Sequence, residues 1–176
     1  LRDKPYDIYC LQETHSTIQD ETRWQKEWGG SMIFAHGTSN QRGTAILFKN
    51  SVAPNIYETK CDINGRWIIV DLSIDDYRFC LVNIYAPNED SPEFFSNLCN
   101  EIECFDVCNE NLIITGDFNT VQNPQLDRSS IHKTYHPKSY DAILELMGEF
   151  DLYDIWRFKN PNTSRYTWRR RKQAIG

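Results

Sequence analysis

Long apolar runs are missing from this chain of 176 residues, and so is an excess of positive charge. No segment approaches the roughly 20 consecutive apolar residues that a membrane-spanning helix needs, so we expect no membrane partner. The formal net charge of −6 argues against broad, non-specific attraction to nucleic acid. One dense cationic run remains at residues 169–172 (RRRK), and it is either a solvated strand end or an edge that contacts phosphate.

The six cysteines lack the patterns that usually define a cysteine's role. No Cys/His pairs have zinc-ligand spacing, and an even cysteine count implies a disulfide framework only in short secreted chains. Cys10 and Cys80 lie in apolar segments, where a thiol behaves as a small hydrophobic side chain. We therefore predict that all six are reduced thiols in an intracellular protein.

Hydrophobic residues (40%) and aromatic residues (13%) are abundant enough for one folded domain over residues 1–176. Helical periodicity predicts helices at about residues 16–28, 91–108 and 139–149, with starts at Ser16, Ser91 and Ser139. Short apolar segments predict strands at residues 6–12, 31–35, 43–48, 55–60, 66–74, 78–85, 112–114 and from 166. This order predicts an α/β fold, with helices on both faces of a mainly antiparallel or mixed sheet or of two stacked sheets.

Residues 111–119 are the most informative stretch. The apolar residues 112–114 predict a strand buried on both faces, and strand alternation then places Asp117 and Asn119 on the same side. A carboxylate and a carboxamide in that position can hold a divalent metal or orient a water beside a phosphate. Taken alone, the pattern is more typical of a strand that ends in an Asx turn.

Two other predicted strands also end in polar groups. Glu13 follows the first strand, and Tyr85 and Asn88 lie at the end of the long strand 78–85. Each has an ordinary explanation by itself, as a solvated carboxylate or a half-buried tyrosine. Together, two carboxylates, a carboxamide and a phenol make a site of hard oxygen ligands, which suits Mg²⁺ and phosphoester hydrolysis.

Six motifs occur in a fixed order along the chain: LQETH at 11–15, RGTAILF at 42–48, NIYAPN at 83–88, GDFN at 116–119, LDRSS at 126–130 and YTW at 166–168. Together they resemble the apurinic-endonuclease-like domain of non-LTR (long interspersed) retrotransposons. That domain belongs to the exonuclease–endonuclease–phosphatase superfamily. The resemblance covers nearly the whole chain, and the LDRS and YTW motifs narrow it to the retroelement branch.

The resemblance implies a four-layer α/β sandwich of the DNase I type, with two stacked, mainly antiparallel or mixed sheets flanked by helices. It also implies an endonuclease that depends on Mg²⁺, with Mn²⁺ as the alternative ion, and that nicks one strand of duplex DNA. The nick would prime reverse transcription by a downstream domain of the same polyprotein. Such a protein would be intracellular, acting in the nucleus and residing otherwise in a cytoplasmic particle.

The motifs also imply roles for individual residues. Glu13 would be the metal ligand, and Asp117 would orient or deprotonate the attacking water. Asn119 would fix the phosphate, Tyr85 would donate a hydrogen bond to it, and Asn88 would support that loop. These roles consist of positioning and charge neutralisation around an in-line displacement.

On the DNA side, the resemblance makes Arg128 a structural or DNA-facing residue and places Thr167 near the minor groove or the phosphates. Arg169 and Arg170, in the cationic run, are further candidates for phosphate contact.

The chain departs from the family pattern at both ends. Family members begin with an Asn-bearing strand and end with an Asp and a Ser-Asp-His, and none of the four histidines here falls in that motif. We therefore expect a domain that is incomplete at both termini, and weakly folded or catalytically inactive in isolation. The alternatives are another superfamily phosphoesterase, such as an abasic-site repair endonuclease or a lipid or inositol phosphatase, and an inactive truncated remnant.

Overall fold

The structure is a computed structural model, and it describes residues 1, 3–105, 111–127 and 136–165. Arg128, Thr167, Arg169, Arg170 and the last predicted strand lie outside the described residues. Five α-helices are present in the described part: α1 (Glu21–Trp28), α2 (Pro92–Glu103), α3 (Pro124–Asp127), α4 (Pro137–Glu149) and α5 (Ile155–Lys159). The same part contains seven strands: β1 (Ile8–Gln12), β2 (Met32–Ala35), β3 (Thr44–Phe48), β4 (Asn55–Cys61), β5 (Trp67–Ile74), β6 (Tyr77–Tyr85) and β7 (Leu112–Asp117).

The strands form two sheets. One has three antiparallel strands in the order β1-β3-β2, and the other has four in the order β4-β5-β6-β7. The four-stranded sheet is mixed, since β4, β5 and β6 are antiparallel whereas β7 runs parallel to β6. The β5–β6 hairpin turns at Asp75 and Asp76, between the strands that the sequence predicts at 66–74 and 78–85. The chain reaches β7 through α2, because a parallel neighbour needs a crossover connection.

Strand alternation builds three apolar layers. The inner faces of the two sheets pack together, with Ile46 and Phe48 of β3 against Ile68, Val70 and Leu72 of β5. The outer face of the four-stranded sheet packs against α2 and α4. Trp28 of α1 joins the outer face of the three-stranded sheet. The order of layers is helix, sheet, sheet and helices, which confirms the predicted four-layer α/β sandwich.

Two helices begin at other residues than predicted. The capping box uses Thr17 and Asp20 at the start of a 3-10 turn (Ile18–Asp20), because Ser16 is buried and bonded to Thr14 instead. Helix α4 begins at Pro137 rather than at Ser139. The carboxylate of Asp90, a residue distant in sequence, accepts the amide of Ser139 at 2.7 Å and so caps this helix.

Other features of the structure also differ from the sequence predictions. Ile113 is 50% exposed, because β6 is the one strand that pairs with β7 within the described residues. Helix α2 ends at Glu103, and α5 was not predicted at all. Cys10, Cys61, Cys99 and Cys104 are free thiols as expected, but Cys80 is disulfide-bonded.

No helix among the described residues is both long and apolar enough to cross a membrane.

Candidate functional site

Three strand ends meet at one edge of the sandwich. The parallel register of β6 and β7 places Tyr85 directly opposite Asp117. From the other sheet, β1 packs against both of these strands and ends one residue before Glu13. The Tyr85 hydroxyl donates a hydrogen bond to Oε1 of Glu13, at 2.5 Å. Residues that are 72 positions apart in sequence thus form one polar cluster, as the motifs predicted.

Gly116 allows β7 to lie beside β6 at this point. Its φ of +132° is one that other residues rarely adopt, and an added Cβ would lie 2.0 Å from the carbonyl oxygen of Ile84. The two strands then stay joined to their last residues, since the Ala86 amide donates to the Asp117 carbonyl at 2.8 Å. Glycine at position 116 is therefore what brings the Asp117 carboxylate to the strand end beside Tyr85.

Asp117 and Asn119 form an Asx turn, in which Oδ1 of Asp117 accepts the Asn119 amide at 2.9 Å. Asn119 has a φ of +49°, so the strand alternation predicted to extend to this residue ends at Asp117 instead. The Asn119 side chain donates to the Ala86 carbonyl at 2.7 Å. The sequence pattern is thus compatible with both an Asx turn and a candidate site. The turn itself fixes the side chains of Asp117 and Asn119 next to the end of β6.

Four non-glycine residues with positive φ cluster around this edge: Glu13, His15, Arg42 and Asn119, at 54°, 52°, 63° and 49°. The left-handed region is uncommon for residues other than glycine, although Asn and His adopt it more readily than Glu or Arg, and such conformations cluster at functional sites. The main chain compensates here, because Thr14 and His15 donate to the carbonyls of Gly43 and Arg42 at 3.0 and 2.9 Å.

A buried polar bridge aligns the two sheets just behind the site. Asn83 of β6 is fully buried and accepts a hydrogen bond from the Gln12 side chain at 2.7 Å. Its own amide donates to the carbonyls of Leu11 and Ala45, at 3.0 and 3.1 Å. These bonds join β6 to β1 and β3, so they fix the position of Glu13 relative to Tyr85.

The electrostatic environment raises the pKa of Tyr85 above its usual value. Burial is the largest cause, followed by the hydrogen bond to Glu13 and the negative charge of that carboxylate. The Asp117 carboxylate acts in the same direction, whereas the side chain of Asn88 acts against it. The phenol is therefore neutral at physiological pH and is surrounded by two carboxylates.

Comparison with known proteins identifies the family to which the chain belongs. A sequence model described as the endonuclease/exonuclease/phosphatase family matches residues 1–173. The chain belongs to this family. A curated relative, the uncharacterized 149 kDa protein of transposon TX1 from Xenopus laevis, is 35% identical over 171 residues. The match covers 96% of this chain and 13% of that protein, so the chain spans a small part of its relative's length.

Solved structures of the same fold include the Neisseria 3′ phosphatase NExo bound to a product DNA hairpin, with a TM-score of 0.74 and 21% identity. That match covers 99% of this chain and 72% of NExo. The endonuclease domain of TRAS1, a telomere-specific non-LTR retrotransposon, matches with a TM-score of 0.55 and 15% identity, over 85% of this chain and 60% of its own. The resemblance that the motifs indicated is confirmed.

The candidate site offers oxygen ligands of the kind that a hard divalent cation binds. Glu13 and Asp117 are exposed carboxylates, and each has one oxygen engaged in a hydrogen bond and a second without such a bond to the described residues. Mg²⁺ binds one or two carboxylates and keeps several waters. Within the described ranges no group of three His, Cys, Asp or Glu residues could hold a metal ion, so a closed zinc-type site is absent there.

Arg66 is the site residue that the motifs did not reveal. It immediately precedes β5, and its guanidinium donates to the Tyr85 carbonyl at 3.2 Å. The sequence signal was an arginine directly after the turn glycine Gly65, but nothing in the sequence shows that the turn lies beside Tyr85. Asn88, which was predicted from its motif, lies on the exposed loop after β6.

Proposed function

We propose that this chain is the catalytic part of a metal-dependent endonuclease that nicks one strand of duplex DNA. The observation that carries the proposal is the polar cluster in which Tyr85 donates to Glu13 and lies opposite Asp117. Two carboxylates, a neutral phenol and a carboxamide at one open edge match the requirements of phosphodiester hydrolysis, in which positioning and charge stabilisation dominate.

Glu13 would hold the ion, which when bound neutralises phosphate charge and lowers the pKa of a bound water. Asp117 would orient the attacking water and accept its proton through the carboxylate oxygen that the Asx turn leaves available. Asn119 would present its second amide hydrogen to the phosphate, since the first is donated to Ala86. The Asx turn therefore serves the chemistry, because it sets the direction of both side chains.

Tyr85 has a single hydroxyl hydrogen, and it gives that hydrogen to Glu13. Donation to a phosphate oxygen requires the hydroxyl to leave the carboxylate. We therefore propose that substrate phosphate and Glu13 compete for the same hydrogen. Substrate binding would then free the Glu13 oxygen at the moment when the phosphate arrives.

Duplex DNA as substrate and retroelement priming as the biological role are supported by the relatives. The TX1 protein is a transposon protein, TRAS1 is a non-LTR retrotransposon, and the NExo structure contains DNA. A downstream reverse transcriptase and action in the nucleus remain predictions. Since the chain matches 13% of the TX1 protein, we place the priming role with a longer polyprotein rather than with these residues alone.

The test is nicking of supercoiled plasmid with Mg²⁺ or Mn²⁺, on this chain and on longer natural versions that contain it. We expect nicking by the longer protein, and a fall of about 100-fold or more on Glu13→Gln because an aligned charged group is lost. Glu27→Gln, an exposed carboxylate on α1, is the matched control. Faster turnover of abasic DNA, of a 3′ phosphate or of inositol phosphates than of plasmid would replace this proposal with the corresponding phosphoesterase.

A further inference from the structure

Two arginines at the site, Arg42 and Arg66, have no carboxylate partner among the described residues. Arg23, Arg78 and Arg157 each form an ion pair with an aspartate. Arg42 and Arg66 are half-buried, yet no carboxylate oxygen of the described residues lies within 4.0 Å of either guanidinium. Charged groups that lose water are normally paired, and the described residues supply no anionic partner for these two.

The loops that carry the two arginines are joined to each other and to the site. The Gly43 amide donates to the Gly65 carbonyl at 3.1 Å, which links the residues that follow Arg42 and precede Arg66. The Arg42 carbonyl accepts the His15 amide, two residues from Glu13. Both guanidinium groups are therefore carried by main chain that is fixed relative to the candidate catalytic residues.

Arg66 is held at the main-chain end of Tyr85. Its guanidinium donates to the Tyr85 carbonyl, and its Cζ lies 5.6 Å from the centre of the Tyr85 ring. Its own amide donates to Asp62 at 2.9 Å, which fixes the turn before β5. The Tyr85 hydroxyl, at the other end of the same side chain, is bonded to Glu13. This places Arg66 beside the reacting position rather than on it.

The charges around Arg66 reinforce the need for an anion. Burial lowers the pKa of its guanidinium, and the nearby positive charge of Arg42 lowers it further. Glu89, Tyr85 and Asp62 act in the opposite direction, but the pKa still falls below its usual value. Arg42 and Arg66 are thus two half-buried cations whose charges repel each other, and a bound anion would relieve that repulsion.

We propose that Arg42 and Arg66 bind a backbone phosphate that flanks the reacting phosphate, so that the site engages two successive phosphates of one strand. The inference deepens the proposed function and depends on it, because the ligand is a nucleic-acid backbone. Guanidinium groups suit this role, since they donate two parallel hydrogen bonds to phosphate oxygens. Such a site favours an internal phosphodiester over an isolated phosphate monoester.

The test is binding of a short fluorescent DNA duplex to the 176-residue chain as a function of salt, measured by anisotropy in Ca²⁺. Each phosphate contact adds about 0.9 to the slope of log K against log salt. We expect Arg66→Gln and Arg42→Gln each to lower that slope by about 1, and Arg66→Lys to retain it. Arg78→Gln is the control, because Arg78 is half-exposed and paired with Asp71 away from the site.

A second arm replaces single phosphates of the duplex with neutral methylphosphonates. Wild-type protein should bind the duplex more weakly when the neutral group is at one position next to the nick. The Arg66→Gln variant should bind that duplex as well as it binds the unmodified one. Unchanged salt slopes, no such position, or no duplex binding at all would overturn the inference. A failure of the proposed function can be distinguished from a failure of this inference. In that case Mg²⁺-dependent nicking would be absent, whereas the salt slopes of the arginine variants would still be lower than that of the wild type.

Discussion

The interface between the two sheets has an apolar part and a polar part. In the apolar part, buried side chains of β3 and β5 pack against each other without polar contacts: Ile46, Phe48, Ile68, Val70 and Leu72. In the polar part, Asn83 bonds to Gln12, and Tyr85 bonds to Glu13. The same two sheets are thus joined by two kinds of contact, and the polar kind occurs next to the candidate site.

The two parts differ in how strictly they depend on the alignment of the groups in contact. Apolar burial stabilises in proportion to area and does not depend on exact alignment. Hydrogen bonds depend on distance and angle, so the polar part fixes how the strand ends of one sheet face those of the other. We infer that the apolar part supplies most of the stability, whereas the polar part positions Glu13 relative to Tyr85.

The largest effect on stability should come from Phe48→Ala in the apolar part. Phe48 is fully buried, and truncation of such a side chain costs about 3–5 kcal/mol of the free energy of unfolding. Denaturant unfolding measures this loss, with Phe158→Ala as the control because that ring is 74% exposed. The pKa of Tyr85 should stay raised. A loss below about 1 kcal/mol would mean that the apolar part is not the main support.

A smaller loss of stability with a larger effect on the site should follow Asn83→Ala. The change leaves buried polar partners unsatisfied, which costs about 1–3 kcal/mol. Because Glu13 is no longer aligned, the pKa of Tyr85 should move toward its ordinary value. The exposed Asn55→Ala is the matched control. If Asn83→Ala leaves the Tyr85 pKa where it was, the polar bridge does not position the site.

Tyr85→Phe should change stability least of these variants, by about 1 kcal/mol, because one hydrogen bond at an open edge is lost. Nicking by the longer protein should nevertheless fall strongly, since the phosphate loses its donor. Tyr77→Phe provides the comparison, because that ring is 80% exposed in the hairpin. Equal activity of the two variants would remove Tyr85 from the chemistry.

The smallest effect is the contribution of Tyr85 to the pH dependence of the free energy of unfolding. Its pKa is higher in the folded protein than in the unfolded chain, so the folded state favours the neutral phenol. The resulting stability is fully present below the ordinary tyrosine pKa of about 10 and is lost as the pH rises through the folded value. Ultraviolet titration of tyrosinate in wild type and Tyr85→Phe measures it. If the tyrosine missing from the Tyr85→Phe titration has a pKa at or below the ordinary value, Tyr85 does not lie in the burial and carboxylate environment that the structure shows.

Local patterns predicted most strands correctly, because alternation and turn residues act over a few positions. Strands β5 and β6 and the turn at Asp75 are examples. The same patterns missed features that are decided by distant contacts. Helix α4 is capped by Asp90 rather than by Ser139, and Ile113 is exposed because β6 is the one strand that pairs with β7 within the described residues.

The candidate site was predictable to the extent that its motifs lie at strand ends. Glu13, Tyr85, Asp117 and Asn119 were all named from the sequence, and the structure places them at one edge; their catalytic roles remain proposals. Arg66 was not named, because its relevance depends on a turn that packs beside Tyr85 only in the folded chain. Sequence spacing cannot reveal such a contact.

Calorimetric binding of Mn²⁺ to the 176-residue chain tests the central claim most directly, namely that Glu13 in the polar part of the interface is the ligand of a divalent metal. The wild-type chain should bind a single ion, and Glu27→Gln, on the outer helix, should bind it equally well. Glu13→Gln should abolish the binding. Undiminished Mn²⁺ binding by Glu13→Gln would contradict the assignment of the polar cluster as a metal-dependent phosphodiesterase site.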